Sequence, residues 1–342
     1  MRAMVLHALA PLSEHPDPLR LEERPDPEPG PGELLLAVSA CGVCHTELDE
    51  IEGRTPPPRL PVIPGHEVVG RVIARGAGAA RFAEGDRVGV AWIFSACGAC
   101  ARCRAGLENL CDGFVATGRD ADGGYATRMV VPESGAHAIP GVFTDAQAAP
   151  HLCAGAIGWR SLRLSGLADG QRLGLTGFGA SAHLVLKLAR HRFPAAEVFV
   201  FARSAAERDF ARELGAAWAG DTAERAPALL DAIIDTTPAW KPVVEALANL
   251  APGGRLVVNA IRKEDGDRDE LLRLEYPAHL WMEKEVKSVA NVARRDVAEF
   301  LEMAAAIPIL PEVTEYPLAE ANRALQDLKA GGIRGAKVLR MD

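Results

Sequence analysis

The spacing of apolar residues divides the chain into two parts of different architecture. Up to about residue 144, short apolar runs alternate with turns rich in Gly and Pro, which is the pattern of β-strands. These runs lie at 33–38, 68–74, 87–93 and 125–131. An Ala- and Leu-rich stretch with helical spacing follows at 145–167. The pattern therefore predicts a β-rich first part that ends in a helix.

From residue 172 onward, predicted strands alternate with predicted helices. The strands lie at 172–176, 197–201, 232–235, 255–260 and 286–290, and the helices at 182–192, 205–214 and 243–250. This alternation is typical of βαβ units and a buried parallel sheet, so we predict an α/β fold. A helix at 297–306 and a strand at 337–340 are expected to rejoin the first part. The predicted domains are 1–153 with 293–342, and 154–292.

Composition and charge limit the possible partners. The chain is 48% hydrophobic and 25% charged, which is the balance of a folded protein rather than a disordered one. Its net charge of −8 argues against binding to nucleic acid or to anionic lipid. No apolar stretch approaches the length of about 20 residues that a membrane span requires, and no secretion signal opens the chain. We therefore expect a soluble, cytoplasmic protein.

The cysteines are more consistent with metal binding than with disulfides. Their number, seven, is odd, and thiols at short regular spacings in a reducing compartment more often hold metal. Cys97, Cys100, Cys103 and Cys111 are separated by two, two and seven residues, so four thiolates can close around one ion. We predict a structural zinc site in a lobe at 95–113. An iron–sulfur cluster is the alternative, because closely spaced thiolates can hold either.

Three other segments carry reactive side chains. They read Cys-Gly-Val-Cys-His-Thr at 41–46, Gly-His-Glu at 65–67 and His-Leu-Cys at 151–153. An isolated Cys is usually a small buried hydrophobe. Together, however, two thiolates and an imidazole can supply three ligands to zinc and leave a fourth position for substrate oxygen.

A glycine-rich turn predicts the cofactor. Gly177 and Gly179 follow a predicted strand and precede a helix, where a dinucleotide's pyrophosphate binds free N–H groups. The next strand ends without the acidic residue that binds the ribose of NAD, and Arg203 and Ser204 stand there instead. We therefore predict a preference for NADP(H), to which Arg208 could contribute. NAD(H) stays usable if Arg203 merely caps a surface turn.

In this order, the motifs resemble those of the zinc-dependent medium-chain alcohol dehydrogenases, especially their bacterial and yeast-like branch. The resemblance covers almost the whole chain. It implies a GroES-like catalytic domain, a Rossmann cofactor domain and two zinc ions per chain. It also implies reversible hydride transfer, through a zinc-bound alkoxide, between a primary or secondary alcohol and NAD(P). Relatives are commonly dimers or tetramers, so a homo-oligomer is expected.

The resemblance also assigns roles around the catalytic zinc. Cys41, His66 and Cys153 would be its ligands, whereas Cys44 lies off the pattern as a spectator. Glu67 would approach the metal during ligand exchange, with a buried ion-pair partner as the alternative. Thr46 would accept the substrate proton, with a turn-capping hydroxyl as the alternative. Two positions depart from the family. Glu47 replaces the usual Asp but should still bond to His66, and Asp49 replaces a His that passes the proton to solvent. We expect the proton relay to run through Asp49, the cofactor ribose and water, or to be shorter.

Further roles concern the cofactor and the substrate. His45 would lie near the phosphates, Ala180 and Ser181 would open the phosphate-binding helix, and Ala260 and Ile261 would approach the nicotinamide. Arg334 could bind pyrophosphate, although relatives carry their Arg at the position of Ala336. Trp92, Ile51 and Thr55 would line the substrate pocket, with core packing as the alternative for Trp92. His151 is either a pocket-lining polar group or an ordinary helix residue, and we favour the second.

Three other functions compete with this prediction. A polyol or aromatic-alcohol dehydrogenase would use the same zinc chemistry. A zinc-free quinone reductase would leave the Cys and His set without a purpose. A non-catalytic NADP-binding protein is disfavoured by the intact set of reactive residues.

Overall fold

The computed structural model describes residues 1–307, 309–331 and 335–341, which form two compact units. The first contains Met1–Ala156 and Val292–Asp342, and the second contains Ile157–Asn291. The strands are β1 (Arg2–Leu6), β2 (Leu19–Glu23), β3 (Glu33–Val43), β4 (Val68–Arg75), β5 (Arg87–Val90), β6 (Ile93–Ser95), β7 (Val115–Ala116), β8 (Arg128–Pro132), β9 (Ala136–Ala138), β10 (Arg172–Thr176), β11 (Glu197–Phe201), β12 (Trp218–Gly220), β13 (Leu230–Asp235), β14 (Leu250–Val258), β15 (Glu285–Ser288), β16 (Val313–Pro317) and β17 (Ala336–Arg340). The α-helices are α1 (His45–Ile51), α2 (Ala101–Arg104), α3 (Asp145–Ala148), α4 (Ala154–Ser165), α5 (Ala180–Arg192), α6 (Ala205–Glu213), α7 (Lys241–Asn249), α8 (Arg294–Ala306) and α9 (Ala321–Ala330).

The first unit is built on a seven-stranded sheet. Its order is β16-β17-β3-β4-β5-β9, and β8 pairs with β3 beside this path. Leu34, Leu36 and Val38 alternate along β3 and are buried, as expected for a strand with one face on a core. β17 runs antiparallel to β3, with Lys337 opposite Val43, so the end of the chain returns to the first unit.

The second unit contains a six-stranded, fully parallel sheet of order β12-β11-β10-β13-β14-β15. Counted from β10, this is the order 3-2-1-4-5-6 of the Rossmann fold, in which ligands bind at the carboxyl ends of the strands. The predicted fold class is confirmed. The strands predicted at 172–176 and 197–201 match the observed bounds, because apolar runs buried on both sheet faces give a clear signal.

Two predicted elements differ from the observed ones. The helix predicted at 145–167 is divided into α3, a 3₁₀ turn at Ala149–Leu152 and α4. Pro150 lies in the turn, and a proline cannot donate the hydrogen bond that an uninterrupted helix requires. The strand predicted at 87–93 is two strands, β5 and β6. Among the described residues, no helix combines the length and apolar character needed to cross a membrane.

Candidate functional site

The first cluster of metal-ligating side chains contains four cysteines on one loop. The sulfur atoms of Cys97, Cys100, Cys103 and Cys111 all lie within 4.8 Å of one another. The Sγ–Sγ distances are 3.8 Å for Cys97 and Cys103 and 3.9 Å for Cys100 and Cys111. The structure thus brings together all four cysteines of the predicted zinc lobe.

The backbone of this loop donates hydrogen bonds to the cysteine sulfurs, although burial and the neighbouring thiols raise the pKa of Cys103 to about 12. The N–H of Cys100 donates to Cys97 Sγ at 3.4 Å, and the N–H of Gly113 donates to Cys111 Sγ at 3.3 Å. Backbone hydrogen bonds from Ala99 and Cys100 lower the pKa of Cys97 to about 6. Helix α2 buries none of its four residues, so it contributes no apolar core to the lobe. Four convergent thiolates in such a loop are suited to a closed tetrahedral ion.

The second cluster lies inside the first unit and joins residues from three segments. Ligand atoms of Cys44, His66, Glu67 and Cys153 lie within 4.8 Å of one another. Cys44 is the N-cap of α1, directly after β3 ends; His66 and Glu67 immediately precede β4, and Cys153 precedes α4. His66 is fully buried and Cys153 is 7% exposed. Distant parts of the sequence therefore converge on one point.

This geometry corrects one predicted ligand: Cys44, and not Cys41, joins His66 and Cys153. Cys41 lies within β3 and is paired on both sides, with Val68 and with Leu339. Its sulfur packs against glycines instead, because a methyl group added at Gly65 or at Gly124 would come within 3.0 Å of it. Cys41 belongs to the core of the first unit, and Cys44, for which the sequence predicts a spectator role, lies in the cluster in its place.

The pKa values separate the two thiols in the same way. Burial, followed by the negative charge of Glu47, raises the pKa of Cys41 well above its usual value. The hydrogen bond with Cys153 lowers the pKa of Cys44, although burial opposes it, and raises that of Cys153. The direction of these shifts favours the thiolate form for Cys44 and the neutral thiol for Cys41.

His66 is oriented by the acidic residue that replaces the family's Asp. Its Nδ1–H donates to Glu47 Oε1 at 2.5 Å, and both side chains are completely buried. The predicted bond between these residues is therefore present. Glu47 Oε2 also accepts the backbone N–H of Cys44 at 2.8 Å, so one carboxylate fixes two members of the cluster. This leaves His66 Nε2 buried with no hydrogen-bond partner among the described residues.

Thr46 and Glu67 complete the surroundings of the cluster. The Thr46 hydroxyl lies 3.6 Å from Cys44 Sγ and is 8% exposed. Burial, followed by the thiolate charge of Cys44, raises the pKa of Glu67 well above its usual value. A methyl group added at Gly42 would approach the Glu67 carboxylate oxygen to 1.7 Å and Cβ to 2.8 Å. Only glycine at position 42 leaves room for Glu67 where it lies.

In the second unit, the glycine turn lies at the carboxyl end of β10. Gly177 has a φ of +78°, a conformation that favours glycine, and Gly179 is the N-cap of α5. The first helical residues, Ala180 and Ser181, follow it. The N-terminus of a helix that opens directly after a strand is a ready-made site for a phosphate group.

The residues predicted to select NADP follow β11. Arg203 is exposed, and Ser204 is the N-cap of α6. Arg208 donates to the carbonyl oxygens of Ala202 and Arg203 at 2.7 and 2.9 Å, so it shapes the turn. After β14, Ala260 is half-buried and Ile261 is 46% exposed. Arg334 lies outside the described residues.

Comparison with known proteins decides the family. Residues 30–141 match the model of the alcohol dehydrogenase GroES-like domain. The chain is 48% identical to the "Probable alcohol dehydrogenase AdhA" of Mycobacterium tuberculosis, over 92% of this chain and 90% of that protein. The chain belongs to the alcohol dehydrogenase family. An alcohol dehydrogenase of Geobacillus stearothermophilus is 32% identical over 96% of this chain and 98% of its own length.

Structural similarity to the family extends over both units. The cobalt- and zinc-bound thermostable alcohol dehydrogenase of Pyrobaculum aerophilum superposes with a TM-score of 0.85 at 25% identity, covering 100% of this chain and 99% of that one. The predicted membership in the zinc-dependent medium-chain alcohol dehydrogenases is thus confirmed.

Other positions that the family resemblance singled out have defined surroundings. Trp92 is 9% exposed and lies beneath the Arg119 guanidinium, 5.4 Å from the ring centre. Ile51 is fully buried in the hydrophobic core of the first unit, and Thr55 is half-buried. His45, at the start of α1, is exposed. Their places in the pocket and at the cofactor stay predictions of the resemblance.

Two further polar residues, Asp49 and His151, contact other side chains of the first unit. Asp49 Oδ1 accepts from Arg54 Nε at 2.6 Å and is largely buried. His151 lies in the 3₁₀ turn between the rings of Phe143 and Phe300, at centroid distances of 4.6 and 5.3 Å. His151 thus packs against two aromatic rings in the interior, in a 3₁₀ turn rather than in the α-helix expected from the sequence.

Proposed function

We propose that this protein interconverts alcohols with aldehydes or ketones by hydride exchange with NADP(H), using zinc held by Cys44, His66 and Cys153. The observation that carries the proposal is the buried cluster of two thiols and an imidazole nitrogen without a hydrogen-bond partner. A second zinc ion in the four-cysteine lobe and assembly into a homo-oligomer are part of the same proposal. The domains are taken as 1–153 with 293–342, and 154–292.

The donor set fits the proposed metal. Zinc prefers thiolate sulfur and imidazole nitrogen, and three protein ligands are the number that catalytic zinc sites use. A buried Nε2 would be unfavourable without a partner, and a metal ion would satisfy it. When bound, zinc would supply a Lewis acid for the substrate oxygen, and the nicotinamide would supply the hydride acceptor or donor.

The side chains around the cluster prepare it for this reaction. Because Glu47 accepts a hydrogen bond from the Nδ1–H group of His66, it favours the tautomer whose Nε2 lone pair would bind the metal. The Thr46 hydroxyl lies beside Cys44, and this position supports a role in accepting the proton of an alcohol group. Glu67 belongs to the cluster and can exchange with another ligand.

The proton is then expected to leave towards solvent through Asp49. This carboxylate is paired with Arg54 and stands where several relatives carry a histidine. A pH–rate profile measured on Asp49→Ala tests this step, with a profile like that of the unmutated protein removing Asp49 from the relay.

Charge at the turn after β11 supports the NADP preference. Arg203 is exposed there, and the acidic residue that would repel a 2′-phosphate is missing. Arg203→Ala should raise the KM for NADP about tenfold and leave the KM for NAD within about twofold, because one charge-assisted contact is lost. A kcat/KM that favours NAD by a wide margin in the unmutated protein would refute this preference.

A metal count combined with a substrate panel tests the whole proposal. We expect about two zinc ions per chain, and alcohol-dependent reduction of the nicotinamide that stops when a chelator removes the metal. Polyols and aromatic alcohols belong in the panel, because the same zinc chemistry serves them. Binding of the dinucleotide without turnover of any alcohol or aldehyde would favour the non-catalytic alternative instead.

A further inference from the structure

A buried ion pair lies at the carboxyl edge of the parallel sheet, in the part of the second unit where a Rossmann fold binds its cofactor. Asp235 is the last residue of β13, and its register partner on β10 is Thr176. Lys263, in the loop after β14, contacts the Asp235 carboxylate through Nζ. Asp235 is fully buried and the Lys263 side chain is 9% exposed. The pair therefore lies next to the glycine turn that follows Thr176.

Lys263 does more than neutralise a charge. Its Nζ also donates to the carbonyl oxygens of Thr237 and Ala239 at 2.7 and 3.0 Å. These carbonyls belong to the segment 236–240, which connects β13 to α7. All three ammonium protons thus have acceptors, two of them on the backbone of this segment.

The segment 236–240 is held at further points. The Thr237 hydroxyl donates to Asp235 Oδ1 at 2.8 Å, and the N–H of Glu264 donates to the carbonyl of Pro238 at 2.7 Å. At the far end, the Asp267 carboxylate accepts the N–H groups of Trp240 and Lys241. Residues of the loop after β14 therefore form hydrogen bonds along the whole length of the loop after β13.

The segment 236–240 also contacts the glycine turn directly. The hydroxyl and the N–H of Thr236 both lie 3.0 Å from the carbonyl oxygen of Thr176, to which they donate. A methyl group added at Gly177 would come within 2.9 Å of the Thr236 and Thr237 side chains. The segment 236–240 is thus one wall of the turn, and a displacement of the segment would move the turn.

We propose that Lys263 is a positioning residue for the dinucleotide: by binding Asp235 and the carbonyls of Thr237 and Ala239, it fixes the wall of the glycine turn. The inference rests on the proposed use of a nicotinamide dinucleotide. It predicts that Lys263 sets the affinity for the cofactor without touching the reacting atoms.

The test is a fluorescence titration with NADPH on the full-length protein. Lys263→Met should raise the Kd about tenfold and raise the KM for NADP in parallel, and should leave kcat at saturating cofactor within about twofold. Because this variant leaves Asp235 buried without its partner, it could fail to fold. The double variant Asp235→Asn/Lys263→Met removes that charge, still lacks the contacts to the two carbonyls and should bind NADPH as weakly. Lys263→Arg should recover most of the affinity.

Arg255→Met is the matched control. Arg255 also binds a carboxylate, that of Glu285, and a carbonyl oxygen, that of Leu164, but at the amino end of the paired part of β14. Its loss should lower the melting temperature and leave the Kd for NADPH unchanged. If the Lys263 variants behave like Arg255→Met, the positioning role is overturned. If the unmutated protein binds neither NADPH nor NADH, the proposed cofactor itself is wrong.

Discussion

The two cysteine clusters of the first unit both contain thiol sulfurs, but they differ in where along the chain their members come from and in what surrounds them. In the 95–113 lobe, four thiols come from one loop, Cys97 is exposed, and the loop backbone donates to the sulfurs. In the buried cluster, two thiols and one imidazole come from three segments, and carboxylates surround them. The ligands of the lobe lie close together in the sequence, whereas those of the buried cluster are distant in the sequence and meet only in the folded protein. Under the proposed function, the number of protein ligands and the segments that supply them would separate a stabilising site from a reactive one.

The largest effect is expected from replacing the cysteine that the fold places in the buried cluster. Cys44→Ala should lower kcat/KM on the order of 10³-fold and remove one zinc ion per chain, because Lewis-acid assistance worth several kcal/mol is lost. Cys41→Ala is the control, since the two residues lie three positions apart in the same motif. It should keep the metal and lose less than about threefold in activity. The reverse result, with metal lost from Cys41→Ala, would restore Cys41 as the ligand.

The motif 41–46 illustrates what a sequence can and cannot reveal about such a site. Both of its cysteines have a plausible spacing to Thr46, and one-dimensional spacing does not say which thiol leaves the sheet. The choice depends on where β3 ends: Cys41 is still paired with strands on both sides, whereas Cys44 caps α1. Thr46 could have indicated the correct thiol. A hydroxyl that acts beside the metal needs a metal ligand close by in the chain, and Cys44 is only two residues away.

The next effect in size concerns the carboxylate behind His66. Glu47→Gln should weaken zinc binding about 10- to 100-fold, because a neutral amide accepts the hydrogen bond from His66 more weakly than a negatively charged carboxylate does. Glu47→Asp, which restores the family's usual residue, should bind zinc within about fivefold of the unmutated protein. Competition with a zinc chelator measures both affinities. Equal zinc affinities for the Gln and Asp variants would mean that the charge of the side chain at position 47 does not determine the affinity for zinc.

A smaller effect should come from the backbone beneath the buried cluster. In Gly42→Ala the new methyl group would overlap both the carboxylate and Cβ of Glu67, so the side chain must move as a whole. We expect about 2 kcal/mol lower stability and about tenfold lower kcat/KM. Gly141→Ala serves as the control, because a methyl group there meets nothing within 4 Å. Denaturant titration and initial rates check the pair, and equal behaviour of the two variants would contradict a crowded site.

Local and distant patterns were not equally readable in the sequence. The parallel sheet and the four-cysteine lobe could be predicted, because both are written in short, continuous stretches of chain. Strand β12 could not, since Trp218–Gly220 is a three-residue edge strand with a weak apolar pattern. The ion pair of Asp235 and Lys263 left no signal, because its members are separated by 28 positions and only the sheet edge brings them together.

The smallest effect on activity is expected in the lobe, and it completes the contrast. Cys103→Ser should release the lobe's zinc and lower the melting temperature by about 10 °C, because the metal stands in for a missing apolar core. The initial rate at low temperature should change less than about threefold, since the buried cluster shares no ligand with the lobe. Asp112→Ala, at an exposed position of the same lobe, should retain the metal. If Cys103→Ser instead abolished turnover while the protein stayed folded, the two clusters would act together, and the division between a stabilising site and a reactive site would be wrong.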